Sequence, residues 1–486
     1  MIVDSLANKE AIIVGSGPNG LAAAITLAQR GMRVTVLEAR STIGGGMRTG
    51  EITLPGYRHD ICSAVHPLGM LSPFFKMMPL ERYGLTWMHP TYALAHPSTD
   101  GTAVYLARSI EETVESFGPD GKAYKILVKP FVERAESLMD DILSPFRIPH
   151  HLSNMVDFGI KGVMPASCLV KIFKSPGVRA MYAGNAAHSL LGLDQILSSA
   201  VGLLLCMAAH VGGWPIARGG SQSIADAMAA YLCDLGGKIE TGFSVSSLDD
   251  LPSDAIKVFD VSPRKLAEIV GDGFSSSYRR RLARYRYGPG VFKIDFALSE
   301  RIPWQNTACK TAGTVHLGDT FEKIAAWEKG CRDGSLVGDP FVLVSQQSVF
   351  DSSRAPQGRH TCWAYCHVPN GWAEDVSAVI ERQIERYAPG FKDIVIGRNI
   401  MNPVSYERYN PNYIGGDIIG GVQDLFQLYN RPVSALRPYA TERDDVYICS
   451  ASTPPGGGVH GMCGYNAANY IIRKFDRKKE VVRGVV

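Results

Sequence analysis

Four residues near the start of the chain have the types and spacing to hold a diphosphate and a ribose. Gly15, Gly17 and Gly20 stand as G-x-G-x-x-G within "IIVGSGPNGLAAA", and Glu38 follows 18 positions after the last glycine. Gly15 permits a tight turn, Gly17 lets the backbone approach a pyrophosphate, and Gly20 lets a helix touch a strand. Ser16, Pro18 and Asn19 complete the loop. Free N–H groups and the dipole at a helix start favour phosphate. Glu38, with Ala39 and Arg40 after it, can accept hydrogen bonds from ribose hydroxyls. An acid at that place favours a free 2′-hydroxyl over a 2′-phosphate. The alternative is a tight strand-to-helix turn without a ligand.

Those residues work only if particular elements position them. Residues 11–14 form a short apolar run that reads as a strand. Residues 19–29 read as a helix whose Ala22, Ala23 and Ala24 permit close packing on a sheet. Gly31 ends it, and residues 33–37 read as a second strand closing on Glu38.

The fingerprint alone does not choose between NAD and FAD. A second glycine pair, Gly44 and Gly45, comes soon after, followed by Gly46, Met47 and Arg48 and the strand-like "EITLPGYRHD". A simple nicotinamide-binding unit has no need of these, whereas FAD is longer and is held at many points. At the other end stands "STPPGGGVHGMCGYNAANY", between a strand at 446–450 and a helix from about Gly461.

With these blocks the chain resembles the phytoene desaturase-like branch of FAD-dependent oxidoreductases, related to amine oxidases and protoporphyrinogen oxidase. The subgroup it resembles is the phytoene dehydrogenase-related one, including the pyridine nucleotide-disulphide oxidoreductase domain-containing 2-like flavoproteins. Residues 11–69, 212–248 and 412–472 carry the likeness, with "WAYCHVPNGW" and "RPVSALRPYATERDDVYICSASTPPGGGVHGMCG". One departure stands out. Many relatives place an arginine directly after the glycine pair, where this chain has Gly46, and Arg48 follows two positions on.

The resemblance implies non-covalent FAD, with the pyrophosphate met by Arg48, the adenine by backbone near Val245, and the flavin by the C-terminal turn. Gly456, Gly457 and Gly458 are expected to clear room for the ring. Gly461 and Met462 are expected to offer N–H groups to negative charge on reduced flavin. His66, His367 and His460 fall in stretches that the resemblance places near the flavin. His460, inside the glycine turn, is the catalytic candidate, against a packing or hydrogen-bonding role for each. Cys463 lies close in sequence but inside the expected helix, so covalent attachment is not expected.

No second strand, G-x-G-x-x-G and helix unit occurs, and "GGDIIGGVQDLF" and "ARGGSQSI" lack its context. No separate NAD(P) domain is expected, and the electron acceptor is left among oxygen, a quinone and a transient soluble molecule. No metal site is expected: the ten cysteines include no C-x-x-C pair, and Cys362 and Cys366 stand four apart on a stretch that reads as strand and turn. A reduced compartment fits this usage.

The chain has 486 residues, 45% of them hydrophobic, and a formal net charge of +3. That balance points away from nucleic acid as a partner. No signal peptide is read at the N-terminus, so a cytoplasmic location is expected. Residues 196–214 approach spanning length, yet Ser198, Ser199, His210 and a glycine pair interrupt them. A buried helix is the preferred reading.

Two stretches fit peripheral contact with an anionic membrane. "HPLGMLSPFFKMMPLERYG" sets Phe74, Phe75, Met77 and Met78 beside Lys76 and Arg82. "YRRRLARYRYGPG" interleaves Arg279, Arg280, Arg281, Arg284 and Arg286 with tyrosines. A domain-interface helix and a solvated basic face are the preferred readings. Homo-oligomerisation is left open.

The middle block 214–248 reads as a glycine-led helix closed by Gly236 and Gly237, followed by two strand-like pieces; "AIKVFDVSP" is a further buried strand. The expected fold is α/β: a discontinuous Rossmann-type FAD-binding domain (1–85, 213–289 and 413–486) with an inserted mixed α+β substrate domain (86–212 and 290–412). The expected function is FAD-dependent chemistry on C–C or C=C bonds of a long apolar substrate, carotenoid-, polyene- or lipid-like. Oxidation of an amine or small metabolite, and a non-enzymatic flavin-binding interaction protein, are the alternatives.

Overall fold

A computed structural model describes residues 6, 9–433 and 436–482 of the chain. Most of the polar first ten residues, and Ser434 and Ala435 of the quoted C-terminal block, lie outside the described residues.

The apolar run after residue 10 forms the centre of a five-stranded parallel sheet. Its strand order is Val446–Ile448, Ile256–Phe259, Glu10–Val14, Arg33–Glu38, Lys238–Thr241. Ala11, Ile13 and Val258 are fully buried, as strands covered on both faces require. The first helix, Pro18–Ala28, packs directly on the last, Met462–Val482. The approach is so close that a methyl on Gly464 would meet the Asn19 carbonyl oxygen at 1.8 Å.

A second sheet has seven strands in the order Val395–Met401, Gly290–Leu298, His360–Val368, Val342–Ser345, Ala312–Leu317, Tyr92–Pro97, Ala103–Ala107. It is antiparallel except where Ala312–Leu317 runs parallel to Tyr92–Pro97. The strand Gly290–Leu298 is buried along its whole length. The architecture is therefore α/β, with a parallel Rossmann-like sheet and a separate mixed sheet. Every strand of the first sheet falls at 10–38, 238–259 or 446–448, and every strand of the second at 92–107 or 290–401.

Residues 196–214 do not make a spanning segment. Ser198–Val211 is a buried helix packed against Pro176–Ala187, Gly121–Glu133 and Leu152–Gly162. Among the described residues no helix is long and apolar enough to cross a membrane.

Several local expectations are corrected. "EITLPGYRHD" is mostly loop, and only Thr49–Gly50 and His59–Asp60 pair. After Lys238–Thr241 no second strand forms: 243–247 is loop, tied down by the Phe243 N–H on the Glu38 carbonyl at 2.9 Å. Cys362 and Cys366 both lie within the strand His360–Val368 rather than at a turn, and all ten cysteines are free thiols. Phe74 and Phe75 are buried and give no surface to a membrane, whereas Met77 is exposed. In the arginine-rich stretch Tyr278 and Tyr285 are buried, so the tyrosines turn inward while Arg280, Arg281, Arg284 and Arg286 face solvent. Arg279 pairs with Asp272 and Arg286 with Asp424.

Candidate functional site

One cavity of about 490 Å³ runs from the glycine loop to the second sheet. Gly15, Ser16, Gly17, Pro18, Asn19, Glu38, Ala39, Arg40, Gly45, Gly46, Arg48, Val245 and Gly458 line it. Gly20, Gly44, Met47, Gly457, Gly461, Met462 and His460 are not on its wall.

The loop is built as its spacing demands. Gly15 has φ +103°, and a methyl there would lie 2.9 Å from the Asp260 carbonyl oxygen. Gly20 meets the Gly15 carbonyl so closely that a methyl would sit 2.1 Å away. Glu38 is buried and anchors the loop: its carboxylate accepts from the Ser16 N–H at 3.1 Å, the Ser16 hydroxyl at 2.5 Å and the Arg40 N–H at 2.9 Å. Arg48 lies 2.9 Å from the same carboxylate and donates from Nε to the Thr42 carbonyl at 2.9 Å. The arginine expected on a pyrophosphate is thus committed to the acid expected on a ribose.

The C-terminal glycines need a different account from the expected one. A methyl on Gly457 would meet the Ile419 carbonyl oxygen at 2.6 Å, and one on Gly461 would meet the Phe74 ring at 2.7 Å. Gly458 has φ +131°, and a methyl there would lie 3.0 Å from the His460 ring. Protein contacts and backbone conformation already demand glycine here. Met462 is not a free donor either, because its N–H donates to His460 Nδ1 at 3.0 Å.

His460 is therefore a capping residue at the last helix. It is buried, its carbonyl accepts from the Ser72 hydroxyl at 2.6 Å, and burial lowers its imidazole to about 4. It stays neutral and away from the cavity wall. Loss of such a cap costs about 1 kcal/mol. We therefore expect His460→Ala to lower the unfolding midpoint while leaving nucleotide-cofactor content unchanged, as read by denaturant unfolding and absorbance; loss of cofactor with unchanged stability would contradict this role. His66 and His367 also turn to structural partners: His66 Nε2 meets the Ser221 hydroxyl at 2.9 Å, and His367 Nδ1 meets both Glu328 oxygens at 2.9 Å. Cys463 lies off the cavity, its thiol pushed up to about 12 by burial.

Other residues on the wall were not singled out from the sequence. Lys293 reaches it from the strand Gly290–Leu298 and donates to the Asp60 carbonyl at 2.8 Å and Asp295 at 2.6 Å. The sequence signal was there: two ions two positions apart in an otherwise apolar strand. Below Lys293 lies a buried network in which Arg354 bonds Asp60 at 2.8 Å and Asp351 at 3.0 Å. Asp60 also accepts from the Ser221 N–H at 2.8 Å, and Asp351 from the Gly219 N–H at 2.7 Å. The network ties the Gly219–Gly220 turn to the second sheet. Trp363, Tyr365, Leu343 and Val291 form the far wall. Cys62 is the cysteine on the cavity, and burial raises its thiol.

Among the lining residues, Asn19 Oδ1 at the glycine loop and Thr314 Oγ1 and Trp363 Nε1 on the second sheet are buried polar atoms without a hydrogen-bond partner. A long cofactor with polar groups along its length fits these residues.

The comparisons agree with this geometry. Residues 13–77 match the model of an NAD(P)-binding Rossmann-like domain. The chain is 24% identical to pyridine nucleotide-disulfide oxidoreductase domain-containing protein 2 of Mus musculus, over 96% of this chain and 93% of that one. It is 24% identical to the neurosporene-forming phytoene desaturase of Rhodobacter capsulatus, over 93% and 92%. The chain is a homologue of these oxidoreductases. Among solved structures, an oxidoreductase from Methanosarcina mazei shares the fold with a TM-score of 0.64 at 14% identity, over 96% of this chain and 100% of that one. Cyclohexylamine oxidase from Brevibacterium oxydans does so at 0.58 and 16%, over 97% and 100%.

Proposed function

We propose that the protein binds FAD non-covalently and acts on C–C or C=C bonds of a long apolar substrate. The observation that carries this reading is the continuity of one cavity, from the glycine loop and Glu38 to a wall of Val291, Leu343, Trp363 and Leu205. FAD, when bound, supplies hydride exchange at N5. The chain's own residues then bind, orient and exclude water. The glycine loop and Glu38 hold the nucleotide end. Lys293 is fixed in place by Asp295 and the Asp60 carbonyl. His188, on the wall beside Trp214, is lowered to about 3 by burial and is neutral at ordinary pH. An uncharged imidazole among apolar side chains suits a substrate without charge. The desaturase likeness supports the same substrate class.

A second reading, amine oxidation, draws on aromatic pairs at the wall: Trp363 lies 5.1 Å from Tyr365, and Tyr406 lies 6.1 Å from Tyr413. Peripheral membrane contact, as a route for lipophilic substrate, remains part of the first reading. An anaerobic absorbance scan with carotenoids, polyenes, fatty acyl compounds and amines decides between them. We expect a polyene or acyl chain to bleach the flavin band. Bleaching by amines alone would move the assignment to the second reading. No bleaching by any, with dithionite still reducing the flavin, would overturn substrate oxidation.

A further inference from the structure

The glycine loop carries a side chain that its fingerprint does not require. Asp260 follows the strand Ile256–Phe259, which pairs with Glu10–Val14. The register sets it beside the first glycine, with its N–H on the Val14 carbonyl at 2.8 Å. Its Oδ2 accepts the Gly20 N–H at 2.9 Å, in the first turn of the helix Pro18–Ala28. A methyl on Gly17 would lie 2.6 Å from that same oxygen. Gly17 is the N-cap and brings no side chain, so a carboxyl from the next strand occupies the helix start instead. Asp260 also lines the cavity.

Two anions compete for this place. The start of a helix stabilises negative charge, and a carboxylate meets that demand while no ligand is near. A dinucleotide brings its diphosphate to the same end. Two negative groups crowded into a buried site repel strongly. The conflict disappears once the carboxyl holds a proton, because a carboxylic acid donates where a carboxylate repels.

We propose that Asp260 is a dinucleotide-contacting residue that works as a neutral carboxylic acid, so that the anionic cofactor binds together with one proton from solvent. The proposal rests on the dinucleotide reading above and adds a protonation state to it. The groups around Asp260 favour that state. Glu38, at the end of the strand on the far side of Glu10–Val14, acts on it with negative charge, and Arg48 is paired to Glu38. Cys449 and Cys463 act on it as thiols raised by burial. Lys265 lines the same cavity from the helix Pro263–Val270, and Lys257, on Asp260's own strand, is paired with Asp445. Burial first, then Glu38, brings the carboxyl up to about 7 against the pull of the Gly20 N–H.

The sign follows. Below about pH 7 the acid is already protonated and affinity is constant. Above it, each pH unit costs about tenfold in affinity until the complex itself loses the proton. The test uses the full-length flavoprotein, diluted at pH 6 to 9, with release of FAD followed by flavin fluorescence. Asp260→Asn keeps an acceptor for the Gly20 N–H and cannot ionise. We expect Kd to rise about tenfold per unit above pH 7 in the native protein and to stay flat in Asp260→Asn. Calorimetry of FAD rebinding at pH 8, in buffers of different ionisation enthalpy, should show close to one proton taken up; this needs no variant. A flat Kd and no proton uptake in the native protein, or an unchanged slope in Asp260→Asn, would overturn the proposal. Failure of FAD to bind at any pH would overturn the dinucleotide reading, and the proposal with it.

Discussion

Gly17→Val is expected to give a folded protein without flavin. Gly17 has φ −67° and extended ψ, a conformation valine adopts freely, so the backbone imposes no penalty. The effect comes from space. A methyl would lie 2.6 Å from Asp260 Oδ2, and that oxygen is held by the Gly20 N–H. Gly45 presses from the other side, since its own methyl would lie 3.0 Å from the Gly17 Cα. Valine must push into the cavity where a pyrophosphate has to approach. Overpacking of this kind costs about 1–3 kcal/mol; where that cost falls on the bound state, FAD affinity should drop about 5- to 160-fold, at 1.36 kcal/mol per tenfold. Absorbance of the purified variant measures the retained flavin, and circular dichroism confirms the fold. A variant with full flavin content would contradict the placement of the dinucleotide at this loop.

The second large effect is expected from Arg354→Met. Arg354 is fully buried and is the cation between Asp60 and Asp351. Burial alone would raise the Asp60 carboxyl, yet the Arg354 guanidinium holds it below its ordinary value. Removing the cation leaves buried carboxylates uncompensated, at about 3–5 kcal/mol. A depressed folded pKa means that this stability is present above the unfolded pKa and lost as pH falls through the folded one. The difference between native and variant should therefore be largest near neutral pH and shrink on acidification. Urea unfolding at neutral and acid pH reads this directly. Equal midpoints at neutral pH would remove the network from the account of stability. Adding Asp60→Asn to Arg354→Met should recover part of the loss, since the two positions share one interaction.

These expectations draw unequally on the sequence. The first strand, the glycine loop, the helix and Glu38 lie within 29 residues, from Glu10 to Glu38, and their logic is local. A glycine with positive φ, an N-terminal turn and an acid at a strand end can be read without knowing the fold. The same holds for the last helix and for the apolar run at 196–214, whose polar interruptions marked it as buried.

The turn at 456–461 shows where local reading fails. Its glycines suggested a ligand, but their neighbours are Ile419 and Phe74, supplied by distant segments, and His460 of the same turn. His460 stood in the right loop, and only the direction of its ring, toward the Met462 N–H, decided its role. Asp260 shows the converse: an ordinary acid at the end of an apolar strand, 240 positions from Gly20, meets it through strand register.

By itself the sequence determined the start of the Rossmann-like half, because backbone conformation and helix-start chemistry depend on residues a few positions apart. The tertiary structure decided the rest. Which side chains reach the cavity, and which ions neutralise one another beneath it, depends on the pairing of strands hundreds of residues apart, and that pairing sets direction and distance for every group at once.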